Sequence, residues 1–118
     1  MDVKLYDKAH ELSDAIRECS EYTALVEAGK ALRKDEKTVR MVREYLLLQT
    51  QLAYAQSMGD KPIKKKIEQL NRMAEIIKHN EMAMDYLQKY NAWQSMAGEV
   101  FQIIQQSMAE GMSILDES

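Results

Sequence analysis

Proline, glycine and cysteine are scarce in this chain: one Pro, four Gly and one Cys in 118 residues. Few positions are left at which a helix would break. Val, Thr and Phe are also sparse, so a sheet would lack its usual material. A lone cysteine forms no intramolecular disulfide, and a free thiol beside nine Met suits a reducing compartment. No apolar run approaches the roughly 18–20 residues of a membrane-crossing helix. Asp2 and Lys4 open a charged amphipathic segment rather than the apolar stretch of a secretory leader. A cytoplasmic protein without a membrane partner is expected.

What the chain does contain is helix-forming material. Charged residues make up 30%, and Glu, Lys, Gln, Leu, Ala and Met dominate. The fold class predicted is all-α: a helical bundle with a long antiparallel hairpin and short amino-terminal helices. A net charge of -3 excludes a generally basic nucleic-acid binder but leaves room for a local patch. Residues 60–79 hold six Lys/Arg against three Asp/Glu, whereas 80–118 hold one against six.

Apolar spacing divides residues 1–118, read as one domain, into helices at about 2–19, 21–33, 36–58, 62–79 and 81–112. Leu5, Ala9, Leu12, Ile16 and Cys19 alternate steps of four and three, which makes one stripe on the first helix. Ser20 and Asp35 are placed to cap the second and third helices. The stretch "GDKPIKKKIEQL" (59–70) is the clearest turn. Gly59 ends one helix, Asp60 or Lys61 caps the next, and Pro62 sits in its first turn. A turn this short makes helices three and four antiparallel neighbours. Asn80 is placed to end helix four, to cap helix five, or both.

Helix five, roughly 48 Å long at ~1.5 Å per residue, carries two apolar stripes. Ala83, Leu87, Tyr90, Ala97, Phe101, Ile104 and Met108 form one; Met82, Tyr86, Trp93, Met96, Val100 and Ile103 form the other. Together they exceed the ~100° of surface that one helix normally buries. Ala97 and Gly98 would admit a close neighbouring backbone. Helix three shows a similar surplus in Met41, Tyr45, Leu48 and Leu52. The surplus predicts self-association through the long helices, as a homodimer or higher oligomer. Its expected interface is Tyr45, Leu48, Leu52, Tyr86, Trp93, Met96, Val100 and Ile103. The last residues, Asp116 to Ser118, are expected to fray.

Catalytic chemistry is hard to find. There is no nucleophile elbow, and Cys19 falls on the apolar stripe, as a buried inert thiol would. His10 lies near Asp7, Glu11 and Asp14, and Glu75 is one turn before His79, but such neighbours are common on solvated helices. Paired Glu-x-x-His motifs for two irons, several thiolates for a cluster and a glycine-rich phosphate loop are all missing. No enzyme activity, cofactor or metal is expected. One polar feature stands out: Lys61, Lys64, Lys65 and Lys66 crowd a helix start, where the macrodipole favours anions. Solvation explains them simply; docking of an acidic protein surface or of RNA phosphates would use them.

The order of these caps and turns resembles the YlbF/YmcA family of small helical bacterial regulators. The resemblance rests on "YDKAHELSDAIRECSEYTALVEAGKAL" (6–32), Asp35 before "EYLLLQTQLAYAQ", the "GDKPIKKKIEQL" turn and "HNEMAMDYLQKYNAW" (79–93). In length and short tail the chain looks most like the YheA-type branch. The resemblance implies helical subunits that associate with themselves or with related chains. It also implies a regulatory role linked to ribonuclease Y-dependent RNA maturation, competence, sporulation or biofilm control. Better-known members carry iron–sulfur clusters through cysteines; with Cys19 alone, this chain is not expected to. The reading that follows is a non-enzymatic adaptor acting through helix-mediated association. Its rival is an RNA-binding module built on Lys61 and Lys64–Lys66, less favoured because no aromatic interleaves the lysines.

Overall fold

The computed structural model describes residues 2–61 and 63–115. The chain is all-helical: α1 (Val3–Glu18), α2 (Ser20–Leu32), α3 (Glu36–Ser57), α4 (Lys64–Lys78) and α5 (Glu81–Ser107), then a 3-10 turn at Ser113–Leu115. Among the described residues there is no strand. Each boundary has a local cause.

Asp2 caps α1, its carboxylate accepting the Leu5 N–H at 3.3 Å. One extended residue, Cys19, separates α1 from α2 (φ -71°, ψ 154°). Its carbonyl accepts the Thr23 N–H at 3.0 Å, so the cap position falls on Cys19 rather than on Ser20. Ser20 is the first helical residue instead, its hydroxyl donating to the Glu21 carboxylate at 2.7 Å. Asp35 caps α3 as expected.

The end of α3 is a Schellman closure: Gly59 N–H donates to Gln56 O and Asp60 N–H to Ala55 O, with Gly59 at φ 79°. Neither Asp60 nor Lys61 caps α4, because that helix begins only at Lys64, beyond both expected cap positions. Helix α4 starts at Lys64 with Ile63 as N-cap, and no side chain bonds to its free N–H groups. Pro62 and the expected frayed end, residues 116–118, lie outside the described residues.

Asn80 fulfils both roles foreseen for it. Its N–H donates to Ile77 O at 2.8 Å, closing α4, and its Oδ1 accepts the Ala83 N–H at 3.0 Å, capping α5. Helix α5 ends at Ser107, not near Met112. The Ser107 hydroxyl donates to Ile104 O at 2.6 Å, a side chain competing for a helix carbonyl. Turns follow, with Gly111 among them. At 27 residues, α5 is roughly 40 Å long.

The elements group into two compact units, residues 26–88 and residues 1–25 with 89–118. In the first, α3 and α4 pack together, as the short turn between them requires. Leu32, Val42, Ile77, Ala83 and Leu87 are buried there, and Val39, Met41, Tyr45, Leu46 and Tyr86 pack around them. The buried Thr38 donates to Asp35 Oδ2 at 2.8 Å and accepts from Asn80 Nδ2 at 3.3 Å. It thereby joins the cap of α3 to the cap of α5.

In the second unit no described residue is fully buried. Ile16, Cys19, Tyr22 and Leu25 are half-buried there, as are Tyr90, Trp93, Met96, Ala97 and Val100 of α5. Cys19 is thus less enclosed than its place on an apolar stripe predicts, because it sits at the break between two helices. The Tyr90 and Trp93 rings lie 6.1 Å apart at 45°. This half of the chain is rich in apolar side chains and poor in burial.

Candidate interaction surfaces

The carboxy-terminal half of α5 shows the imbalance most clearly. Of its two stripes only Met82, at the helix start, is exposed before this point, and from Ala83 to Val100 their residues are at least half-buried. Beyond it, Phe101 is 59% exposed and Ile103 68%, and Ile104 and Met108 are also exposed. Phe101 and Ile104 come from one stripe and Ile103 from the other, so both sides of the helix end in uncovered apolar surface. Met112, Ile114 and Leu115 continue it.

Two further details mark the same stretch. Gly98 lies inside the helix, yet a Cβ built there would meet nothing within 4 Å. Glycine in a helix interior costs about 1 kcal/mol relative to alanine, and none of the described residues comes close enough to require it. Trp93, one turn earlier, has its indole N–H enclosed with no acceptor among the described residues. An unmet buried donor costs on the order of 1–3 kcal/mol.

The residues predicted for an interface separate in the structure. Leu48 is 6% exposed and therefore already covered within the chain. Tyr45 and Tyr86 pack on the core of residues 26–88, and Leu52 is half-buried. The apparent surplus on α3 is absorbed largely by its own unit. Trp93, Met96 and Val100 are half-buried on α5, and Ile103 is open.

The lysines lie where the sequence suggests. Lys61, Lys64 and Lys65 are exposed and Lys66 is half-buried; the last three fill the first turn of α4, which holds no acid. None forms an ion pair among the described residues. Ile63 and Ile67 beside them are exposed, as are Tyr54 and Met58 at the end of α3. The histidines gather no metal set: Glu75 pairs with Lys78 at 3.3 Å, and no group of three ligating side chains occurs among the described residues. Among those residues, no helix is long and apolar enough to cross a membrane.

One site escapes the sequence reading. A half-open cavity of about 270 Å³ lies within residues 26–88. Gly29, Leu32 and Arg33 line it from α2 and its end, Val39, Val42, Arg43 and Leu46 from α3, and Tyr86 from α5. Its signal was available: residues 30–43 hold six Lys/Arg against Asp35 and Glu36, a denser positive stretch than 60–79.

Comparison with known proteins places these surfaces in a family. Residues 5–109 match the family model described as "Control of competence regulator ComK, YlbF/YmcA". The chain belongs to the YlbF/YmcA family. A UPF0342 protein of Clostridium tetani is 24% identical over 111 residues, 94% of this chain and 96% of that one. Another from Pediococcus pentosaceus is 28% identical over 110 residues, 93% and 96%. Among solved structures, a DUF964 protein of unknown function from Bacillus stearothermophilus aligns with TM-score 0.72 at 25% identity, covering 91% of this chain and 94% of that one. A chain of the crystal structure of Bacillus subtilis RicA in complex with RicF aligns with TM-score 0.60 at 21% identity, covering 95% of this chain and 99% of that one. The second likeness is one of fold. This YlbF/YmcA chain therefore combines a regulator family's helical fold with an uncovered apolar helix end.

Proposed function

We propose that the protein is a regulatory adaptor without catalytic activity, working by helix-to-helix association through the carboxy-terminal half of α5. The observation that carries this reading is the exposed apolar stretch at the end of α5, Phe101, Ile103 and Ile104 with Met108 just past it, next to an interior glycine whose built Cβ meets none of the described residues within 4 Å. A helix that is apolar on both sides needs a second covering surface. Residues after Lys89 carry no Lys or Arg, so two such helices meet without basic groups to desolvate. The simplest partner is another copy, and related chains of the family are the next. The family's description as a controller of a competence regulator supports a regulatory setting. The fold is shared with a chain of the solved RicA–RicF complex, an assembly of two proteins.

The resemblance extends the proposal to ribonuclease Y-dependent RNA maturation, competence, sporulation or biofilm control. In such a complex this chain would serve as a protein-binding subunit without a cluster, since Cys19 is its one thiol. The uncapped, lysine-filled start of α4 supports a second reading, an anionic partner at Lys61 and Lys64–Lys66. Direct RNA contact there would give a steep log–log salt dependence of binding.

Light scattering across a micromolar dilution series tests the leading reading. The wild type should give an oligomeric mass, and Val100→Asp or Ile103→Asp should shift it toward a monomer by placing a charge in the contact. The emission of Trp93, the single tryptophan, should follow the same transition. A wild type that stays monomeric throughout would overturn self-association.

A further inference from the structure

The cavity between the end of α2 and the middle of α3 combines features that fit one kind of ligand. Leu32, Val42 and Leu46 give it an aliphatic lining, and Arg33 and Arg43 give it two guanidinium groups. Both arginines are exposed, and neither forms an ion pair among the described residues. Of the acids nearby, Glu27 holds Lys30 at 3.5 Å and Asp35 accepts from Thr38, while Glu36 and Glu44 are exposed and form no ion pair with either arginine among the described residues. With six Lys/Arg against two acids over residues 30–43, this corner keeps an excess of positive charge.

Gly29 supplies an independent sign. It lies inside α2, where alanine is the better helix former. A Cβ built on it would sit 3.7 Å from Tyr86 Cε2, an ordinary van der Waals distance. The fold therefore tolerates a methyl group, yet the position is left empty and the cavity is the larger for it. An engineered cavity of roughly 150 Å³ holds benzene. At about 270 Å³, this one has room for a ring with a short chain or for a medium acyl chain.

We propose that this cavity binds an amphipathic carboxylate, with its apolar body against Leu32, Val42 and Leu46 and its carboxylate on Arg33 and Arg43. The planar fork of a guanidinium matches two carboxylate oxygens. The lining side chains include no amide or carboxylate with which to read a nucleobase or a sugar, which disfavours a nucleotide. This site is separate from the exposed end of α5, so its success or failure leaves that reading unchanged.

Octanoate and 3-phenylpropionate are suitable probes, titrated into the full chain by calorimetry and by amide NMR shifts. Octanol and sulfate serve as the uncharged and the purely ionic controls. The expected result is saturable one-to-one binding of at least one acid, with shifts centred on Gly29, Arg33, Val42 and Leu46. Both controls should bind at least about ten-fold more weakly. Arg33→Gln combined with Arg43→Gln, both on exposed side chains, should weaken the acid about ten-fold or more. Four results would each overturn the proposal: no saturation with either acid, octanol binding as tightly, sulfate competing as well as the acids, or undiminished binding by the double variant. The amide shifts on unmodified protein keep the test decisive even if that variant folds poorly.

Discussion

Thr38 fixes the start of two helices at once. Its side chain is buried, 3% exposed, and bonds to both Asp35 and Asn80, which cap α3 and α5. Thr38→Val would keep the shape but leave the Asn80 amide without this acceptor, at an expected cost of about 1–3 kcal/mol in urea unfolding. Asn80→Ala should cost about 1 kcal/mol through the cap alone. The same network makes the chain acid-sensitive. The Thr38 hydroxyl and then its N–H hold the Asp35 carboxyl below its ordinary value, and the Ser20 hydroxyl does the same to Glu21. As pH falls through the carboxylate range, the unfolded chain takes up protons before the folded one. The contribution is therefore complete above the ordinary carboxylate pKa and is lost as pH drops toward the lowered one. Stability measured between neutral pH and pH 3 should decline less steeply for Asp35→Asn than for the wild type. Asp35 and Asn80 were legible as caps because their residue types and positions announce them. Thr38 was not, because its partner is 42 positions away and its own spacing is that of an ordinary helical residue.

At the scale of elements, α4 and α5 each hold a residue choice that an isolated helix would reject. Lys64, Lys65 and Lys66 fill the first turn of α4 with no acid and no side-chain cap. Lys64→Glu with Lys65→Glu should stabilise the chain by about 0.3–1 kcal/mol per site at low salt, and the gain should shrink in molar salt. Thermal unfolding at two ionic strengths would check it. Gly98 is the corresponding case in α5. Gly98→Ala should raise the stability of the diluted chain by about 0.5–1 kcal/mol through helix propensity, and should weaken association if a second backbone approaches there. A gain in both properties would remove Gly98 from the contact. Helix existence and order were readable from the four-three spacing and from caps; the two displaced ends were not. Before α4 the Schellman bonds carry the closing turn of α3 through Asp60, so the helix begins later, at Lys64, and at Ser107 a hydroxyl turned onto a carbonyl in the last helical turn. Both involve hydrogen bonds that apolar periodicity does not record.

At the scale of the whole molecule, burial is concentrated in residues 26–88, while residues 1–25 and 89–118 include no fully buried described side chain. The sequence revealed the apolar surplus but could not say which part a neighbour within the chain would cover. On α3 much of it is covered, as Leu48 and Tyr45 show; on α5 beyond Val100 it is not. Periodicity identifies an apolar face, whereas its covering depends on tertiary packing. This difference predicts how local stability responds to assembly. Amides around Val42, Ile77 and Leu87 should resist hydrogen exchange at any concentration, because the chain itself supplies their core. Amides in α1 and in residues 89–107 should exchange faster, and their protection should rise with protein concentration, since association adds stability by mass action. In Val100→Asp that rise should disappear while protection around Ile77 is unchanged. Exchange measured by mass spectrometry at two concentrations separates the cases. Equal, concentration-independent protection in both units would mean that the chain stabilises its α5 end without a partner, and the exposed Phe101 to Met108 surface would no longer require one.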